Sequence, residues 1–266
     1  MIIKSPFVTS SFDSDARAYI NTSGATARAE INHFVKAIKR LGLWDSMVCW
    51  PLRSSQNAGT GSTAYSLGGL GTYNGTLVNG PTWGADGVLT NGTSNYLTAP
   101  ILATKNFTSM SVMARTSTSD AGSFPTYWHV SKKTNSPNSW FNDFISYFND
   151  TGLGIFSQIS GVDWSPARAS GENSTNFGFQ TTSMNSVSQV YSTSLNGSFT
   201  TRTRSAGFSE DMVEIILGAR WSVSYQQFGS GTHAGFLHFN TPLNSSSAES
   251  VRTLYKSTLG QGLGLP

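Results

Sequence analysis

Apolar positions change their period once along this chain. Between Ala25 and Leu41, Ala27, Ile31, Phe34, Val35, Ile38 and Leu41 recur at spacings of three and four, which is the stripe of an amphipathic helix. Gly42 supplies its stop. A shorter helical turn from Ser14 to Ile20, capped by Asp13 or Ser14, puts Ala16, Tyr19 and Ile20 on one face. This helical pair fits two roles equally: an arm that docks onto a partner, or helices packed on the chain's own sheet.

Beyond Trp44 the pattern is that of strands. "MVCWPL", "GTLVNG", "SMSVMART", "TYWHVSKK", "FISYFND", "GLGIFSQIS", "SVSQVYSTSLNG", "EIILGARW" and "GFLHFN" are short, rich in β-branched or aromatic residues, and bounded by Gly, Asn, Ser or Pro. Their spacing of about ten residues predicts a sandwich or barrel. No linker breaks the run, so the expected organisation is a helical segment over residues 1–43 and one β domain over 44–266.

The stretch "NGTLVNGPTW", Asn74 to Trp83, tests a different idea. A phosphate-cradling glycine loop must lead into a helix N-terminus, and here Trp83 leads to Gly84, Asp86 and Gly87 with no helical pattern after them. Asn-Gly is instead the signal of a type I′ turn, whose two central residues need positive φ. Asn74-Gly75 and Asn79-Gly80 are expected to bracket a very short strand, and Asn91-Gly92 to make a further reversal before "NYLTAP".

The run "YNGTLVNGPTWGADGVLTNGTSNYLTAP" resembles the first half of laminin-G-like, concanavalin A-like jelly-roll domains. "IILGARW" with "AGFLHFNTPLNSSSAESVRTLYK" is similar to that family's last strands and a short helical tail. "SFDSDARAYI" and "LYKSTLGQGLGLP" resemble segments of tailed-bacteriophage virion proteins that carry this jelly roll after a small helical head. The resemblance implies an all-β, antiparallel jelly-roll β-sandwich with a small helical N-terminal segment. It further implies a particle component that assembles with itself and with other capsid or tail proteins. Many relatives hold calcium at the sandwich rim, through oxygen ligands as that cation requires. Where they carry acids, this chain has Asn91 and Asn95, so no metal is expected from that segment. Asp86, Asp120, Asp143, Asp150 and Asp163 show no clustered ligand spacing.

Composition narrows the function. Charged residues are only 12% of the 266, and the net charge of +3 is spread without a Lys/Arg block, which points away from nucleic acid. No apolar run reaches membrane-spanning length, and the first residues lack a signal-peptide pattern. Synthesis in a host cytoplasm is therefore expected, and the resemblance implies residence in a virion. Asn-x-Ser/Thr triplets at Asn74, Asn91, Asn106, Asn173 and Asn196 follow from an Asn- and Thr-rich composition. Cys49, the only cysteine, allows no intrachain disulfide and reads as core.

Catalytic patterns fall short. Retaining glycosidases place two carboxylates about 5–5.5 Å apart, and related enzymes of this fold set three acids on one strand in alternation. In "EDMVE", Glu210 and Glu214 would share a face, but Met212 stands between them where an acid is needed. His33, His129, His233 and His238 form no ligand pair, and the odd spacing of His233 and His238 places them on opposite faces of a regular strand. No G-x-S-x-G elbow occurs. A non-enzymatic protein without cofactor is expected.

Aromatic residues carry the remaining signal. Trp44 and Trp50 flank the helix-to-sheet junction and read as core, whereas Trp140 and Trp164 sit among Ser, Pro, Asn and Gly as loop-tip residues do. With Tyr127 and Trp128 they are the candidate stacking surfaces for a sugar ring or a partner protein. Two functions follow: a structural virion protein as capsid decoration or tail fibre, or a lectin-like module that grips a host surface polysaccharide.

Overall fold

The computed structural model describes residues 11–100, 107–116, 126–131, 144–149, 152–157, 165–168, 176–185, 190–203, 214–221, 225–226 and 228–266. Helix α1 (Ser14–Ser23) opens on Asp13, whose carboxylate accepts the amides of Asp15 at 2.9 Å and Ala16 at 3.4 Å. These are donors that a first turn leaves without intrahelical partners. Helix α2 (Arg28–Arg40) begins later than its apolar stripe suggests. The amides of Thr26 and Ala27 both go to the Ser55 carbonyl, at 2.8 Å, which holds that turn outside the helix. Gly42 stands past the end of α2 at φ 69°, its amide bonded back to Lys39.

Strands then follow in chain order: β1 (Met47–Pro51), β2 (Thr63–Ala64), β3 (Gly75–Val78), β4 (Thr82–Trp83), β5 (Val88–Asn91), β6 (Tyr96–Pro100), β7 (Phe107–Thr116), β8 (Thr126–Ser131) and β9 (Phe144–Asn149). The second half carries β10 (Gly152–Ser157), β11 (Ser165–Arg168), β12 (Gly178–Asn185), β13 (Val190–Leu195), β14 (Ser198–Thr203), β15 (Glu214–Leu217), β16 (Arg220–Trp221), β17 (Tyr225–Gln226) and β18 (Ser230–Phe239). Helix α3 (Ser245–Ser257) closes the order, with Asn244 Oδ1 accepting the Ser247 amide at 2.8 Å. Each strand-like segment of the sequence falls on a strand.

Among the described residues, β16 and β17 pair with each other, and the other strands form two antiparallel sheets. One runs β14-β13-β12-β7-β18-β5-β4, and the other β11-β10-β9-β8-β15-β6-β3-β2. In the first, β18 shares one side between β5, opposite Ser230–His233, and β1, opposite Gly235–Phe239. Val48, Trp50, Val88, Met110, Val112 and Phe236 of the first sheet meet Leu77, Leu97, Ile215 and Leu217 of the second in the sandwich core. Trp50 is buried, and its indole N–H donates to the Tyr73 carbonyl at 2.7 Å.

A second core lies on the other face of the first sheet. Ala16 and Ile20 of α1, Ile31, Phe34, Val35 and Ile38 of α2, and Val251 and Tyr255 of α3 pack against Met47, Cys49, Phe179, Leu237 and Phe239. Tyr255 centres this layer: its ring meets Phe34 and Phe179 edge-on at 6.4 and 5.8 Å, and its hydroxyl donates to the Ala234 carbonyl at 3.2 Å. Of the two roles open to the helices, packing on the chain's own sheet is the one the structure shows. The boundary expected at residue 43 falls between layers that share one apolar cluster.

Double coverage explains the strand patterns. β1 and nearly all of β18 are buried on both faces, so they read as apolar runs, whereas β5 is alternately buried and exposed. Asn79 and Gly80, at φ 57° and 72°, do turn the chain, but from β3 in one sheet to β4 in the other and not as a hairpin. Asn74-Gly75 does not turn, because Gly75 already pairs with Ala64 in strand β3. Asn91-Gly92 does reverse the chain, but it passes from β5 in one sheet to β6 in the other. The side chains of Asn91 and Asn95 build that crossing: Asn91 Oδ1 accepts the amides of Thr93, Ser94 and Asn95, and Asn95 Oδ1 accepts that of Asn91. Strand β5 follows Gly87 directly, so no helix begins after Trp83.

The two histidines of β18 depart from the regular-strand reading. A bulge between His233 and Gly235 shifts the register, so His233 pairs with Ala114 and His238 with Met110. Partners four residues apart lie on one face, and both imidazoles therefore face the sandwich interior with Phe236. They sit about 13 Å apart along the strand, too far to share a ligand.

Candidate functional site

Among the described residues, polar and aromatic side chains converge where α1 meets the β2–β3 connection. Asp15 and Thr22 of α1, Trp44 of the 3₁₀ turn Trp44–Ser46, and Tyr65, Thr72 and Asn74 line a cleft of about 230 Å³. A larger groove of about 470 Å³ lies between α2 and α3 beside Ala37, Leu41 and Leu254, but no aromatic ring among the described residues lines it.

Local bonding fixes the cleft's floor. Leu67 exchanges both backbone bonds with Cys49 at 2.7 Å, which ties Tyr65–Gly68 to β1. Only glycine fits next, since a Cβ on Gly68 would stand 2.1 Å from the Met47 carbonyl oxygen. Asn57 clamps Tyr65 from behind, its Oδ1 accepting the Tyr65 amide and its Nδ2 donating to the Tyr65 carbonyl, both at 2.9 Å. Tyr19 seals the inner wall by donating its hydroxyl to the Gln56 carbonyl at 2.8 Å, and burial pushes its phenol well above the usual range.

The walls carry the chemistry. Gly69 lies against the indole of Trp44, where a Cβ would come within 2.6 Å of Cδ1. Lys39 Nζ stands 5.1 Å from the centroid of the same indole and bonds Asp13 at 2.9 Å and Asp15 at 2.5 Å. Asn74 Oδ1 accepts the Ser66 amide and hydroxyl at 3.0 and 3.3 Å, which orients the Asn74 Nδ2 donors outward. The result is a half-buried indole and phenol beside hydroxyls, a carboxamide and one carboxylate, a set suited to polar rings with an apolar face.

Tyr127 and Trp128 lie on β8, where Trp128 pairs with Leu217 and His129 with Ile216. Trp140 and Trp164 lie outside the described residues, as do Glu210, Asp211, Asp120, Asp143, Asp150 and Asp163. Glu214 is buried on β15 and accepts the Thr98 hydroxyl. Asp86 pairs with Arg115 at 2.9 Å. Trp44, expected in the core with Trp50, is instead half-buried at the cleft, because the 3₁₀ turn holds it outside β1. Asp15 and Tyr65 were not singled out by the sequence, and Asn74 only as a turn residue and an Asn-x-Thr triplet; the run Gly68-Gly69-Leu70-Gly71, which allows the close approach to Trp44, is the signal nearest to them.

No protein-family model matches the chain, and no curated protein matches it. Among solved structures it is similar to a mutant of Trypanosoma rangeli sialidase displaying trans-sialidase activity, with a TM-score of 0.64 at 11% identity over 89% of this chain and 38% of that one. It is also similar to the binding domain of botulinum neurotoxin serotype D, with a TM-score of 0.55 at 10% identity over 77% of this chain and 51% of that one. The chain spans about two fifths of the sialidase and half of the neurotoxin domain. At these identities the likeness shows the fold alone, an antiparallel β-sandwich of jelly-roll type.

Proposed function

We propose that this chain is a non-enzymatic glycan-binding module that holds a sugar in the cleft between α1 and the β2–β3 connection. One observation carries the reading: Trp44 and Tyr65 stand beside the hydrogen-bonding groups of Thr22, Thr72 and Asn74 in an open cleft of about 230 Å³. A sugar ring presents apolar C–H faces and a rim of hydroxyls, and this lining offers a partner to each. The fold supports the reading in a general way, since it is shared with a sialidase and with a toxin's binding domain. Glu214, the one residue of the EDMVE run among the described residues, accepts a hydroxyl from Thr98 within the β15–β6 pair.

The test is retention on a glycan array by wild type, Trp44→Ala, Trp140→Ala and Trp164→Ala. Wild type is expected to be retained and Trp44→Ala to lose at least tenfold in affinity, the scale of one aromatic contact. Retention that depends on Trp140 or Trp164 alone would move the site to those loops, and no retention by wild type would remove the reading.

A second reading places the module on a tailed-phage particle as decoration or fibre component, assembled with copies of itself and other virion proteins. It is supported by the two end segments that resemble such proteins, which join in one apolar layer through Ile20, Phe34 and Tyr255. Mass spectrometry of purified particles tests it: a stoichiometric copy of the chain is expected, and its absence rejects the placement.

A further inference from the structure

The cleft's charge goes further than its shape. Among the described residues, Asp15 is the one charged side chain that lines it, and none of the lining residues is Lys, Arg or His. Lys39, beside the cleft, is held by two carboxylates, Asp13 at 2.9 Å and Asp15 at 2.5 Å, and by the Trp44 ring. Two acids against one ammonium leave this wall with a net charge of −1. The Asp15 side chain keeps 49% of its surface exposed, so a ligand can approach it.

Resting on the glycan reading, we infer that the cleft selects sugars by charge, taking rings that bear a protonated amine in preference to acidic ones. A carboxylate-bearing sugar needs a guanidinium or ammonium to replace its water. Among the described residues none lines this cleft, and Asp15 would repel it. A hexosamine ammonium is a compact donor that Asp15 can accept while the ring lies against Trp44 and the hydroxyls meet Thr22, Thr72 and Asn74. An N-acetylated ring keeps the stacking and loses the ion pair. Sharing a fold with a sialidase thus carries no expectation of a sialic acid ligand.

Calorimetric titration with a glucosamine tetramer, its fully N-acetylated counterpart and α2,3-sialyllactose tests the inference. The amine-bearing tetramer is expected to bind about threefold to tenfold more tightly than the acetylated one, the range for a partly exposed charge pair, and sialyllactose is expected to bind most weakly. Asp15→Asn, with its melting temperature checked, should remove the preference for the amine, bringing the amine-bearing and acetylated tetramers to within about twofold of each other. Raising the salt to about 1 M should likewise collapse the preference, because exposed pairs are screened. Trp44-dependent binding of sialyllactose above the other two, or an amine preference unchanged by Asp15→Asn, overturns the inference and leaves the glycan reading standing. Failure of all three ligands together with an empty glycan array removes both.

Discussion

Lys39 joins the helical layer to the cleft: its ammonium stands 5.1 Å from the Trp44 ring centroid while it bonds the carboxylate that caps α1. Burial raises the Asp13 carboxyl, and the Lys39 ammonium with the Asp15 and Ala16 amides lowers it further, to below its ordinary value. The unfolded chain therefore takes up that proton more readily. The contribution of Asp13 is present above about pH 4 and is lost as pH falls through the carboxylate range. Lys39 is desolvated but held up by Asp13 and Asp15, so its contribution is lost as pH rises past about 10.

Lys39→Met is expected to lower stability by about 1 kcal/mol, the scale of an exposed pair network with a cation–π contact. Urea unfolding at low and high salt measures it. The deficit should shrink in high salt; a salt-independent deficit would assign the effect to packing.

His233 makes stability fall earlier on the acid side. Burial in the sandwich pushes its imidazole down to about 4, whereas in the unfolded chain it titrates near 6.5. Its contribution is full above about pH 6.5 and declines toward pH 4, by up to about 3 kcal/mol. Chemical unfolding between pH 4 and 8 should show this slope, and His233→Gln should flatten it. Parallel curves for the two proteins would show that His233 does not set the slope.

Cys49 lies fully buried between the sheet and helices, and burial pushes its thiol far above the usual value. A thiol-specific disulfide reagent should not modify the native protein and should modify one thiol per chain in urea. Fast labelling of the native state would mean that the helical layer opens readily.

Two glycines separate strain from collision. Gly61 has φ 70° with open space around its Cβ position, whereas Gly68, at φ 156°, has the Met47 carbonyl 2.1 Å away. Gly61→Ala should cost about 1 kcal/mol from backbone strain alone. Gly68→Ala should cost roughly 2–4 kcal/mol and also disturb the cleft, since strand β1 or the loop must move. Equal melting temperatures for the two variants would contradict the close approach.

Local chemistry was legible and long-range placement was not. Asp13 announced a cap, Asn79-Gly80 a turn, and the change of period at Trp44 the start of the sheets, because each signal lies within a few residues. Asn74-Gly75 misled, since the Asn74 side chain is used to hold Ser66 and Gly75 is spent in a strand. The bulge that turns His233 inward shows only in the pairing with β7. That α1, α2 and α3 cover one sheet depends on which strands lie beneath them, which an apolar stripe does not encode. The cleft was hidden for the same reason: Asp15, Trp44 and Asn74 come from three segments with no characteristic spacing, brought together when Leu67 pairs with Cys49.

Heteronuclear NMR titration with whichever glycan the array retains tests the central claim most directly. The amides of Asp15, Thr22, Trp44, Tyr65, Thr72 and Asn74 should shift together and saturably, with the Trp44 indole N–H among the largest changes. Saturable shifts confined to other residues, with these unmoved, would contradict the assignment of the cleft as the binding site.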